Sequence, residues 1–182
     1  MHRNSFQNKE KKRLSSFGFT LVELMVVIAI IGIVAVLAVP NFARIQREAR
    51  IRGACQKTAQ HLKQLRERAI STGGTYTFTF PDRYTYRMTR PDGRTQDFRV
   101  GGLTGSSVYW GGVGVAGQPP EGNLPAPGIS GIDFPGQTLD IDGRGGATSG
   151  VIYITDGRDN YAVGINRLGK IATYRYSQGT WN

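Results

Sequence analysis

Ser16-Phe17-Gly18-Phe19-Thr20-Leu21-Val22-Glu23 leads directly into an apolar run that ends at Pro40. From Phe19 to Val39 there are 21 residues, and Glu23 is the only charged one among them. As an α-helix the segment rises ~31 Å at ~1.5 Å per residue, which matches a hydrocarbon core of ~30 Å. It reads as a membrane-length helix with one carboxylate inside it. An ionised carboxylate in hydrocarbon is costly, so Glu23 is the residue that needs a function. Its natural partner is a cation at similar depth; a Glu that snorkels from the helix end to the headgroups is the structural alternative. Arg3, Lys9, Lys11, Lys12 and Arg13 precede the span. This positive excess keeps the leader cytoplasmic and exports the chain beyond Pro40.

The same stretch admits a second reading, a secretory signal cleaved after Ala38, with Val36 and Ala38 as a weak small-x-small site. Against it, a run of 21 apolar-dominated residues exceeds the usual h-region of ~7–15, and Glu23 interrupts it.

Beyond Pro40 the apolar period stays helical: Phe42, Ile45 and Ala49, then Ile51, Ala54, Leu62, Leu65 and Ala69. Ser71-Thr72-Gly73-Gly74 is a helix stop. One helix is therefore expected from Phe19 to about Thr72, kinked or loosened at Pro40, which lacks an amide donor and clashes backwards. From Thr75 the period changes to two. Residues 75–80 and 83–88 alternate as strands joined by a turn at Pro81-Asp82, and Asp92-Gly93-Arg94 turns the chain into a strand over 96–100. Residues 101–150 hold 15 of the 25 glycines and five of the eight prolines. They read as an irregular surface region with short extended pieces at 107–110 and Thr138–Ile141. Residues 151–155 and 161–165 form a hairpin signal, followed by a strand over 171–176. A helical spine followed by antiparallel sheet is an α+β arrangement.

The N-terminal stretch, about residues 13–40, resembles the class III signal of type IV pilins and type II secretion pseudopilins. The resemblance implies cleavage by a prepilin peptidase between Gly18 and Phe19, N-methylation of Phe19, and an assembly role for Glu23 as the fifth mature residue. Pro40 matches the family position at the end of the membrane-embedded half of the helix. The order of helix and sheet, with Leu62–Gly73 as helix end and Gly164–Ile171 as final hairpin, is most similar to the H-type (GspH/FimT-like) minor pseudopilins. The implied organisation is a cleaved leader (1–18), a transmembrane or filament-core helix (19–40), a basic helical stalk (41–72) and a Gly-rich sheet domain (73–182). The implied partners are the prepilin peptidase, an inner-membrane assembly platform and other pilins or pseudopilins in a filament. The implied location is the bacterial inner membrane, single-pass, with the N-terminus cytoplasmic and the C-terminal domain periplasmic, and then a pseudopilus or pilus.

A net charge of +10 invites a nucleic-acid reading, so its location matters. The excess lies in the leader and in residues 41–70, where Arg44, Arg47, Arg50, Arg52, Lys57, Lys63, Arg66 and Arg68 face only Glu48 and Glu67. Residues 71–182 carry ten basic and nine acidic side chains. Such a stalk suits anionic headgroups, acids on neighbouring subunits, or solvent alone. FimT-like minor pilins that bind DNA do so through a C-terminal Gly-Arg-x-Arg motif; here the place reads Gly169-Lys170-Ile171-Ala172, with the second basic residue missing. Lys170 with Tyr174-Arg175-Tyr176 is the remaining DNA candidate, the aromatics for stacking and the cations for phosphate; packing of a terminal strand is the plainer use of those tyrosines.

An enzyme is not expected. His61 sits alone on the stalk as a surface residue, without a carboxylate cluster. No zinc spacing and no cofactor motif occurs. Asp140-Ile-Asp142-Gly143 and Asp156-Gly-Arg-Asp159 depart from a calcium-loop pattern. Asp-Gly-Arg, at 92–94, 142–144 and 156–158, reads instead as three turns with a positive-φ glycine. The one cysteine, Cys55, reads as a small packing residue.

Overall fold

A computed structural model describes residues 18–102, 107–122 and 130–182, and leaves the side chains of 38–41 aside. The leader's basic residues, and the side chain of Pro40, therefore lie outside the described residues. The chain divides into two units, Met1–Phe42 and Ala43–Asn182, and helix α1 (Leu21–Thr72) runs through both.

α1 begins two residues later than the apolar run suggests, because Thr20 acts as its N-cap. The Thr20 hydroxyl accepts the Glu23 amide at 3.2 Å, and the Thr20 carbonyl accepts the Leu24 amide at 3.2 Å. This satisfies one of the helix's orphan donors. At the other end the Ser71 and Thr72 hydroxyls donate to the Arg68 carbonyl at 3.0 and 2.8 Å. Gly73 then takes φ +66, the left-handed conformation that ends a helix cheaply only at glycine.

In the second unit the helix and the sheets share one core, as a helix packed on an antiparallel sheet requires. Ile51, Ala54, Cys55, Thr58, Ala59, Leu62, Leu65 and Ala69 are buried on one face of α1, at the helical spacing the sequence shows. Two antiparallel sheets take up the rest of that core. The first has the order β3-β2-β1-β6, with β1 Tyr76–Asp82, β2 Thr85–Thr89, β3 Thr95–Arg99 and β6 Thr138–Ile141. Its inward residues Tyr76, Phe78, Tyr86, Met88, Leu139 and Ile141 alternate with exposed or half-buried neighbours. The second has the order β10-β9-β8-β7-β4, with β4 Tyr109–Trp110, β7 Gly150–Thr155, β8 Asn160–Ile165, β9 Ile171–Ser177 and β10 Thr180–Trp181. The two-residue β5 (Ile132–Asp133) also pairs with β7.

The first turn falls at Arg83-Tyr84 rather than at Pro81-Asp82. β1 takes a bulge between Thr79 and Asp82, and the Asp82 carboxylate accepts the Tyr84 amide at 2.7 Å. The Asp-Gly-Arg turns are Asx turns in all three places, since Asp92, Asp142 and Asp156 accept the amide two residues on at 3.0, 2.8 and 3.0 Å. Positive φ holds at Gly93 and Gly157 but not at Gly143. There glycine serves close approach instead, because a Cβ would lie 2.4 Å from the Gly73 carbonyl carbon.

Candidate assembly segment and head surfaces

In the first unit the apolar side chains point outward on every side of the helix. From Leu21 to Leu37 each large apolar residue is exposed, Val27 least at 43% and Leu21 most at 74%, and Phe19 before them reaches 81%. A helix apolar all round has its proper environment inside a membrane or among other helices. Burying such side chains is worth about 1.5–3 kcal/mol each. Among the described residues no single helix is long and apolar enough to cross a membrane, whereas Leu21–Leu37 taken with Phe42–Thr72 passes on length and composition. Gly18 is exposed, with free space around its Cα, and precedes the helix. Glu23 stands in the first turn, where the partial positive charge of the amide ends favours a carboxylate. Thr20-x-x-Glu23 is the sequence form of a capping box, a signal that sits inside the membrane-length run and is masked by it.

The second unit separates the residues grouped as a DNA site. β9 alternates, so Arg175 and the two tyrosines lie on opposite faces. Arg175 lies across from Tyr161, on the face toward α1, and its guanidinium pairs with Glu48 at 2.9 Å. Tyr174 and Tyr176 turn outward. The Tyr174 hydroxyl donates to the Glu121 carboxylate at 2.8 Å, and the Tyr176 hydroxyl accepts the Ala116 amide at 2.9 Å. Burial and the Glu121 carboxylate push the Tyr174 hydroxyl up to about 12. Lys170 sits at the β8–β9 turn beside Lys63 and Arg66, in a different group.

Those outward contacts belong to a strap, where the glycine-rich sequence suggests open surface. Residues 111–122 lie over the outer face of the second sheet. Asn160 holds the strap through both side-chain atoms, accepting the Val113 amide and donating to the Val113 carbonyl, each at 2.9 Å. Trp181 Nε1 donates to the Gly117 carbonyl at 3.3 Å. On that face Val151, Tyr153 and Ala162 form a small second core with Tyr174 and Trp181. The unbroken apolar run of β7 was the available signal, since a strand buried on both faces loses its alternation.

His61 is half-buried, against the expectation of a surface residue. Its Nδ1 lies 2.7 Å from the Tyr86 hydroxyl, and its ring packs 4.6 Å from that of Phe98. Burial, with Lys57 and Arg68 nearby, lowers its pKa below the usual histidine value. Cys55 is buried with its Sγ 3.7 Å from the Ala162 carbonyl, and burial pushes its thiol up to about 12. Among the described residues no three of His, Cys, Asp and Glu gather as a metal site would require.

The model of the prokaryotic N-terminal methylation motif matches residues 13–39. That motif covers the N-terminal segment of the chain alone. The type IV major pilin protein PilA of Myxococcus xanthus (strain DK1622) is 58% identical over 33 residues, which are 18% of this chain and 15% of that relative. The shared stretch is thus a small part of either protein. The crystal structure of the type IV minor pilin FimU of Pseudomonas aeruginosa, 12% identical, aligns over 74% of this chain and 94% of that one, with a TM-score of 0.47.

Proposed function

We propose that this chain is a member of the type IV pilin and pseudopilin family and a non-enzymatic minor subunit of a pilus-type filament, an H-type (GspH/FimT-like) pseudopilin of a type II secretion pseudopilus. The observation that carries the reading is the helix from Leu21 to Leu37, exposed and apolar on all sides with Glu23 as its one charge. Such a surface is stable in a bilayer first and among like helices afterwards. Prepilin peptidase cuts between Gly18 and Phe19 on the cytoplasmic side and methylates Phe19. The new α-amino group lies at the positive end of the helix dipole, where a cation is disfavoured. A neighbouring subunit's Glu23 relieves it, and that pairing sets the axial register between subunits. The inner-membrane assembly platform draws the subunit into the filament with its head periplasmic. Pro40 removes one helical hydrogen bond there and lets the helix adjust between core and head.

A FimT-like minor pilin for type IV pilus assembly or DNA binding is the second reading. The division of Arg175 from Tyr174 and Tyr176 weighs against its DNA form. The test is the extracellular protein profile of a deletion strain beside a complemented control. Exoproteins held in the periplasm support the secretion reading. An unchanged profile with loss of pili or of transformation replaces it with the pilus reading.

A further inference from the structure

The flank of α1 that faces β9 carries more positive charge than the head neutralises. An open cavity of about 260 Å³ there is lined by Lys63, Arg66, Glu67, Gly169, Lys170 and Ile171. Arg66 is held in place by backbone alone: its Nε donates to the Gly145 carbonyl at 2.9 Å and its Nη2 to the Leu168 carbonyl at 3.3 Å. Gly169 makes that seat possible, with φ +71 and a position where a Cβ would lie 2.1 Å from the Gly145 oxygen and 2.4 Å from Arg66 Nε. A guanidinium has five N–H donors in a fixed fork, so donors remain after both carbonyls are served. Lys63 and Lys170 are exposed at its side. Among the described residues no carboxylate pairs with Lys63, Arg66 or Lys170; Glu48, lower on the same flank, is taken by Arg175.

We propose that Lys63, Arg66 and Lys170 form a seat for the carboxylates of an acidic segment on a neighbouring subunit, an inference that rests on the filament reading above. An oriented guanidinium matches a carboxylate with paired hydrogen bonds, and the two ammonium groups add charge from the sides. Nucleic acid fits the seat less well. No aromatic ring lines the cavity for a base to stack on.

The test uses the full-length chain in detergent micelles and a fluorescent hexaglutamate peptide, read by anisotropy. Binding is expected to weaken about tenfold in Lys63→Gln/Lys170→Gln and to fall as salt is raised, with hexaglutamine not bound. Both lysines are exposed, so the double variant keeps the fold, which Arg66 variants put at risk. Equal binding by the double variant, or a single-stranded oligonucleotide bound more tightly than hexaglutamate, overturns the proposal. In cells, Lys63→Glu/Lys170→Glu is expected to lower filament incorporation. Normal incorporation in that variant, while Glu23→Ala is defective, sinks the seat and leaves the filament reading standing. Absence of the wild-type chain from sheared filaments sinks the filament reading itself.

Discussion

Residues 21–37 and 43–72 are both written as apolar helix, yet the two stretches meet opposite conditions. In the first, Ile28, Ile31 and Val34 are as exposed as Leu24 or Leu37, so no face is distinguished. In the second, Leu62, Leu65 and Ala69 are fully buried while Lys63, Glu67 and Arg68 face outward. The second half obtains its stability within the chain, from packing of one face against sheets. Among the described residues the first half has no such packing, which leaves its apolar side chains to be covered by something else. This difference divides the substitutions into those that unfold the head and those that leave it folded but unable to assemble.

The largest effect is expected at Leu62. Leu62→Ala empties a fully buried position and should cost about 2–5 kcal/mol, measured as a fall in the denaturant midpoint of the full chain in detergent. Ile31→Ala, at a residue 61% exposed, should leave the same midpoint unchanged. An equal loss from Ile31→Ala would show that the first half is also packed within the chain. Next comes the strap. Asn160→Ala removes both bonds to Val113 and should cost about 1–3 kcal/mol, with faster amide exchange at Val113 than elsewhere in the head. Uniformly faster exchange would mean that the strap and the sheet open together.

The smallest effect is the pH dependence set by His61. Its pKa is lower in the folded chain than the unfolded value. The stability it confers is therefore complete above pH ~6.5 and is lost as pH falls from there through the lowered folded value. The unfolding midpoint should drop across this window, and His61→Gln should flatten the drop. A drop of the same size in the variant assigns it to the carboxylates instead.

Much of this architecture could be read from local pattern. The helix stop at Thr72, β6 at Thr138–Ile141 and the β7–β8 hairpin all follow from period, turn residues and glycine placement within a few residues of each element. The parts that escaped depend on distant pairs. Asn160 holds Val113 across 47 positions, and Arg66 reaches Gly145 across 79. No local period reports such contacts. The placement of Tyr174, Arg175 and Tyr176 shows a related effect: neighbours in a strand point to opposite faces, so adjacency in sequence separates them in space. For residues 21–37 the contrary holds, because composition alone marks a helix that is apolar on every side.

The most direct measurement is incorporation of Glu23→Ala into filaments, compared with wild type by sheared-fraction immunoblot, with processing checked by the size of the mature chain. Normal cleavage with strongly reduced incorporation is the expected result. Wild-type filament levels would contradict the pairing role, and would leave Glu23 as a first-turn helix residue with no part in assembly.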